Sequence, residues 1–315
     1  MNKKQKMLII ATILSIAILI IVASAFFTVT QPTGKLQVVA SFYPLAFFSQ
    51  EIGGEHVQVT QLVPSNTEIH TWEPAASDIS AAEKADVIVY NGAGLDHWIE
   101  TEIFPAISKT KNRAIVDTTE NLPLLLAENN QEHENENEHG IYDPHTWVSP
   151  HMAKVQAEKI YVALVQQDPT HERHYTERWS NLKSTLEKID VNYTTTLSTM
   201  HKNTIFVSHA AFGYLANRYE FKQQGVIGLS ADQQPSAVVI ANIISLMLQH
   251  ETYVVYVDPV YSQGYAQTLK NELETQTGHS VTILKLYLIT GQIDGKSYLQ
   301  QQLFNLESLR VGLEA

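Results

Sequence analysis

Cysteine is absent from all 315 residues. That absence excludes disulfides, thiolate metal ligands, a cysteine nucleophile and a lipid-modified N-terminal cysteine. Familiar catalytic signatures are missing too. There is no HExxH, no GxSxG elbow and no GxxxxGK[ST] loop. Basic side chains are in the minority, 21 Lys and Arg against 33 Asp and Glu, for a formal net charge of -12. An acidic balance argues against nucleic acid or an anionic membrane surface as partner, and it suits the binding of cations.

What is present begins with Lys3, Lys4 and Lys6, followed by an uncharged run from Met7 to Phe27 interrupted only by Thr12, Ser15 and Ser24. A helix needs about 20 apolar residues to cross a bilayer, more than a signal peptide usually carries. Residues 1–34 therefore read as an uncleaved anchor with a short linker, "TQPTGK", holding the body of the protein extracytoplasmic. Ala23-Ser24-Ala25 also resembles a cleavage site, so a cleaved signal is the alternative. The remaining residues, about 280, are enough for two domains with two cores.

Beyond the linker, short β-branched runs alternate with helical stretches. Leu36 to Ser41, Val57 to Val63, "ADVIVYN" and "RAIVDT" read as strands. Pro44 to Gly53, a segment capped by Asp78 and running to about Lys84, and Leu95 to Ile107 read as helices. Such alternation predicts an α/β fold, a parallel sheet with crossover helices. The stretch "AENNQEHENENEHG" breaks the pattern and reads as a disordered acidic loop carrying histidines, over 128–140. From Pro150 to about Met200 the chain reads as helical, broken at Asp168-Pro169. Trp179, Leu182, Leu186, Ile189 and Tyr193 give its second piece one apolar face. Alternation then restarts with "TIFVSH" and runs through "TYVVYVD" and "SVTILKL" to a last helix from Ser297. The expected organisation is a lobe over 35–168, a linking helix over 169–200 and a second lobe over 201–315.

The triplet HTW occurs twice, in "EIHTWEP" and "DPHTWVSP", both times beside proline. His70 and His145 thus lie in loops, and His209 directly follows the strand "TIFVS". In parallel sheets ligands sit beyond the carboxyl ends of strands, so a cleft between the lobes would gather all three. Three neutral imidazoles and one oxygen suit zinc, whereas manganese or calcium sites are richer in carboxylate. Asp143 is placed to hold the ring of His145, and Trp72 and Trp147 are placed to anchor the two loops. His56, His97, His151, His171, His174, His201, His250 and His279 show no common locus in the sequence and read as surface or packing residues.

"ASFYPLAFFSQEIGGEHVQVTQLVPSNTEIHTWEP", "DPHTWVSP" and "FVSHAAFGYLANRY" resemble the zinc-uptake solute-binding proteins of ABC transporters, the metal-binding cluster called A-I, from about Leu36 to Leu313. The resemblance implies two lobes of parallel sheet with crossover helices, joined by a long rigid helix, with Zn²⁺ held between them. It implies His70, His145 and His209 as ligands, and delivery of the divalent ion to an ABC permease. In manganese-preferring relatives the third position is typically glutamate, so His209 points to zinc. The fourth ligand has no clear counterpart. Asp258 in "VYVDPVY", Glu68, Glu73 and water are the candidates. Gln234 stands where the family often has glutamate. A manganese receptor, a surface adhesin or a metal buffer on the same fold are the alternatives, with a zinc hydrolase behind them because no general base accompanies a local pair of histidines.

Overall fold

The computed structural model describes residues 34–65, 67–127, 141–227, 236–261 and 263–315. The apolar run from Met7 to Phe27, the acidic loop over 128–140 and Gln234 lie outside the described residues. Among the described residues, no helix is long and apolar enough to cross a membrane.

Leu36–Ala315 forms one compact unit. Its first half carries β1 (Leu36–Ala40), α1 (Tyr43–Gly53), β2 (Val57–Gln61), α2 (Ala76–Lys84), β3 (Val87–Tyr90) and β4 (Ala114–Asp117). Then come two helices, α3 (Pro150–Gln167) and α4 (Glu172–Leu197). The second half carries β5 (Thr204–His209), α5 (Gly213–Tyr219), β6 (Lys222–Ile227), α6 (Ala237–Gln249), β7 (Val254–Val257), α7 (Gly264–Thr277), β8 (Thr282–Lys285) and α8 (Tyr298–Gly312).

Each half builds a four-stranded parallel sheet, ordered β2-β1-β3-β4 and β6-β5-β7-β8. The strand order is the same in both, so each sheet has its switch point between corresponding strands, β1 and β3 in one and β5 and β7 in the other. The central strands are covered on both faces, which is why β3 and β5 are continuously buried.

Two helices meet between the halves. Asp168 ends α3, and Pro169, which cannot continue the preceding helix, starts a 3₁₀ turn to His171 before α4 begins. α4 has 26 residues, about 39 Å at 1.5 Å per residue. It buries Tyr175, Trp179, Leu182, Leu186, Ile189, Tyr193 and Leu197, at steps of three and four that make one continuous stripe. That stripe does not separate two cores. One apolar cluster runs from Val38 and Phe48 through α4 to Leu215, Tyr287 and Leu309. A second, smaller cluster lies among β7, α6 and α7. Both sheets thus share the main core through α4, and the smaller core belongs to the second sheet alone.

Two local expectations also change, and one strand was not foreseen. The segment from Leu95 to Ile107 is not a regular helix. It widens into a π-turn at Ile99–Ile103, where the Phe104 N–H reaches the Ile99 carbonyl, and closes with one α-turn at Phe104–Ala106. Pro105 has no N–H to give the preceding turn, so the ladder opens instead of continuing. Asp78 is the third residue of α2 rather than its cap, and its Oδ2 accepts from the Ala75 N–H at 2.8 Å. Strand β6 has no apolar run to announce it: "KQQG" is polar because β6 is an edge strand with one neighbour.

Candidate metal centre

Each of the three histidines is delivered by a different piece of the fold. His209 is the last residue of β5, paired in register with Ile227 of β6. His70 lies in the loop that leaves β2, and its backbone N–H is held by Glu68 Oε1 at 3.0 Å. His145 opens the 3₁₀ turn Thr146–Val148 ahead of α3. The three rings converge in the interior, with exposures of 8% for His70, 2% for His145 and 1% for His209.

The distances are specific. His145 Nε2 lies 3.3 Å from His70 Nε2 and 3.1 Å from His209 Nε2. Ring centroids are 4.9–5.7 Å apart and the planes are steeply inclined, 58–81°. All three ligand atoms lie within 4.8 Å of one another. A tetrahedral zinc with Zn–N bonds of about 2.0–2.1 Å separates its nitrogens by about 3.3 Å. The two separations from His145 Nε2 therefore already match the spacing such an ion imposes.

A shell of hydrogen bonds sets this arrangement. Asp143 Oδ1 meets His145 Nδ1 at 2.7 Å and the His145 backbone N–H at 3.0 Å. The carboxylate keeps the proton on Nδ1, which leaves the Nε2 lone pair facing the centre. Gly213, at the start of α5, is where the second half closes on Asp143. A Cβ there would lie 2.5 Å from Asp143 Oδ2.

The Pro144–His145 loop is gripped from both sides. From the first sheet, Asn91 Nδ2 donates to the Pro144 carbonyl at 2.9 Å, and Gln156 Nε2 donates to Asn91 Oδ1 at 3.0 Å. The Asn91 turn is shaped in turn by Asp96, whose oxygens accept the Asn91 and Gly92 N–H groups at 2.6 and 2.9 Å. Burial lifts the Asp96 carboxyl to about 6, against those hydrogen bonds. From the second half, Tyr214 donates to the Asp143 carbonyl at 2.7 Å. Trp147 Nε1 donates to the Leu288 carbonyl at 2.7 Å, and Tyr298 donates to the Trp147 carbonyl at 2.6 Å. Trp147 is fully buried and packs edge-on against Phe42 at 4.7 Å. Trp72 is half-buried and leans on buried Trp98 at 4.4 Å. The two tryptophans anchor their loops as the repeated triplet suggested.

Asp258 is not gathered with the histidines. It follows β7 at the switch point of the second sheet and is buried, but its Oδ1 accepts from the Val260 N–H at 2.7 Å and its Oδ2 from the Leu288 N–H. Burial lifts its carboxyl to about 6. Both oxygens are thus engaged in ordering the strand-end turns, and among the described residues the cluster of mutually close donors at this centre comprises the three imidazoles. Glu73 is exposed. Glu68 is the candidate with an uncommitted atom: its Oε2 is buried with no hydrogen-bond partner among the described residues.

Sequence reasoning missed Asn91, Asp96, Gln156, Tyr214 and Tyr298. Their only signals were a polar Asn-Gly closing a buried strand and polar residues inside otherwise apolar helices. It also missed that three of the remaining histidines, His56, His171 and His174, do share a locus, with ring centroids 3.8–4.4 Å from His56 to the other two.

Comparison with known proteins points to the same class of ligand. The family model described as "ZnuA: Zinc-uptake complex component A periplasmic" matches residues 38–312. The chain is 31% identical over 288 residues to the high-affinity zinc uptake system protein ZnuA of Bacillus subtilis, spanning 89% of this chain and 88% of the relative. Among solved structures, the laminin-binding protein Lmb of Streptococcus agalactiae, described as bifunctional with adhesin and metal-transporting activity, superposes with a TM-score of 0.77 at 26% identity, covering 89% of this chain and 99% of Lmb. Zn(II)-bound AdcA of Streptococcus pneumoniae gives a TM-score of 0.74 at 26% identity, covering 90% of this chain and 58% of AdcA.

Proposed function

The chain belongs to the family of periplasmic zinc-uptake A components, and from that membership we propose that it is an extracytoplasmic receptor that captures Zn²⁺ between its two lobes and hands it to an ABC permease. It acts by binding and not by catalysis, in keeping with relatives named for zinc uptake and zinc binding. The observation that carries the reading is the trio of buried Nε2 atoms from His70, His145 and His209, two of whose separations are 3.1 and 3.3 Å. Zinc is the cargo. The three imidazoles bind it through Nε2, and Asp143 stabilises the positive charge that spreads onto the His145 ring. The fourth position goes to water or to Glu68, two residues from His70, whose buried Oε2 has no partner among the described residues.

A nitrogen-only trio favours zinc over manganese, which draws on carboxylates. Residues 1–34 tether the receptor to the membrane, a role read from their lysines and apolar run. The acidic segment 128–140 collects cations weakly through its charge and raises their local concentration.

Metal analysis of wild type beside His209→Ala tests the site. The expected result is one tight equivalent of zinc in wild type, weakened more than about 100-fold in the variant, beyond the effect of losing an outer partner. Unchanged zinc content in His209→Ala would remove the trio. Normal zinc uptake by cells lacking the protein would favour an adhesin or buffer role instead.

A further inference from the structure

The structure holds a second group of close metal donors, far from the first. His56 ends the short 3₁₀ turn Gly54–His56 that leads into β2, whereas His70 lies in the loop leaving the other end of that strand. Five residues of strand separate the two ends, about 17 Å at about 3.3 Å per residue. On the near side, Glu55, His56 and His174 each offer a donor atom, and these atoms all lie within 4.8 Å of one another. The neighbours come from two elements: Glu55 and His56 from the turn after α1, His174 from the first turn of α4.

Several observations separate this group from a chance meeting of polar surface residues. His174 Nε2 is buried and has no hydrogen-bond partner among the described residues. A buried imidazole nitrogen without a partner is disfavoured unless something binds it. Gly54 lets that nitrogen come close: its φ is +57°, and a Cβ there would lie 2.7 Å from His174 Nε2. The His56 ring meets His174 at right angles, 4.4 Å between centroids, and stacks on His171 at 3.8 Å with planes 20° apart. His171 is itself fixed, its Nδ1 lying 2.6 Å from Asp168 Oδ2, which also accepts the Tyr175 hydroxyl at 2.7 Å. The neighbouring Arg178 is turned to Glu51, donating to its carbonyl at 2.6 Å and facing its carboxylate at 3.9 Å.

We propose that Glu55, His56 and His174 form a second metal site, which takes a borderline divalent cation of the zinc or copper(II) class and ties the turn before β2 to the start of the linking helix. Two imidazoles and a carboxylate are a donor set suited to such ions, and open solvent beside exposed Glu55 leaves room for water as a further ligand. The partial exposure makes this site weaker and faster to exchange than the buried trio.

The site is separable from the first by experiment. Zinc binding is measured by equilibrium dialysis on the full-length protein in four forms: wild type, His209→Ala, the double variant His56→Ala/His174→Ala, and Glu55→Gln. Wild type is expected to bind one more equivalent than the double variant, which keeps the tight equivalent. His209→Ala is expected to lose the tight equivalent and keep the weaker one. Comparing variants cancels any zinc held by the segment containing His133 and His139. Glu55→Gln, a change of one exposed side chain, is expected to weaken the second equivalent at least fivefold. Equal stoichiometry and affinity in wild type and the double variant would overturn the proposal. Were the double variant to lose both equivalents through misfolding, Glu55→Gln decides, and unchanged second-site affinity there would overturn it as well.

Discussion

Replacing Asp143 by asparagine keeps the shape of the zinc centre almost intact and removes one charge. Asp143 Oδ1 lies 2.7 Å from His145 Nδ1, and the whole unit is buried, 4% exposed at Asp143 and 2% at His145. This hydrogen bond exists before zinc arrives, so its full strength does not count toward affinity. What counts is its strengthening on binding. Zinc draws electron density from the ring, the Nδ1–H becomes more acidic, and a carboxylate responds to that change far more than a neutral amide. Loss of such an outer partner costs about 10–100-fold in metal affinity, or about 1.4–2.8 kcal/mol. Asparagine can still turn its carbonyl oxygen toward Nδ1, so Asp143→Asn is expected near the lower end, about tenfold. Asp143→Ala leaves both the ring N–H and the His145 backbone N–H without their acceptor, and belongs near about 100-fold. Competition for Zn²⁺ against a chromophoric chelator near neutral pH measures both. If both variants bind zinc within twofold of wild type, the argument that Asp143 tunes the site is wrong.

Other outcomes follow from the same contacts. Burial lifts Asp96 to about 6, above its ordinary 3.8. The folded chain therefore holds that proton more tightly, and the stability it adds is complete below 3.8 and lost as pH rises through about 6. Over that window the group costs about 3 kcal/mol, so denaturant titrations at successive pH values should show a shallower decline in Asp96→Asn; identical slopes would refute the assignment. Tyr298→Phe deletes the hydroxyl on the Trp147 carbonyl and should lower stability by about 1–3 kcal/mol in urea, with no loss if that bond is idle. Gly213→Ala puts a methyl 2.5 Å from Asp143 Oδ2, so zinc affinity should fall together with stability. A fall in stability alone would mean that Asp143 moves without disturbing His145.

Much of the architecture was legible because buried parallel strands are written in β-branched residues, as in "VIVY" of β3 and "TIFV" of β5. β6 was not legible: an edge strand has one covered flank and needs no such run, and "KQQG" satisfies it. Pro105 was visible, but the pattern around it was read as a helix that the proline in fact opens. For the site, the loop positions of His70 and His145 and the strand-end position of His209 suggested convergence, and the fold brings the three rings together. Position alone did not tell where Asp258 would direct its oxygens, because the Val260 and Leu288 amides that claim them belong to turns with no sequence signature. Asn91 supports a carbonyl 53 residues away and Gln156 supports Asn91 across 65. Pairings that distant leave no local pattern to read.

The last helix of the fold reaches back to finish a loop that precedes it by some 150 residues. Tyr298 and Gln302 of α8 grip the carbonyls of Trp147 and Val148, just beyond His145. During synthesis or export, the first lobe can emerge and pair its strands while that loop still lacks its clamp. Tight metal retention then becomes a property acquired late, when the final segment docks. A chain caught before that moment would hold zinc loosely and give it up, so folding itself sets the time at which the receptor starts to keep its cargo.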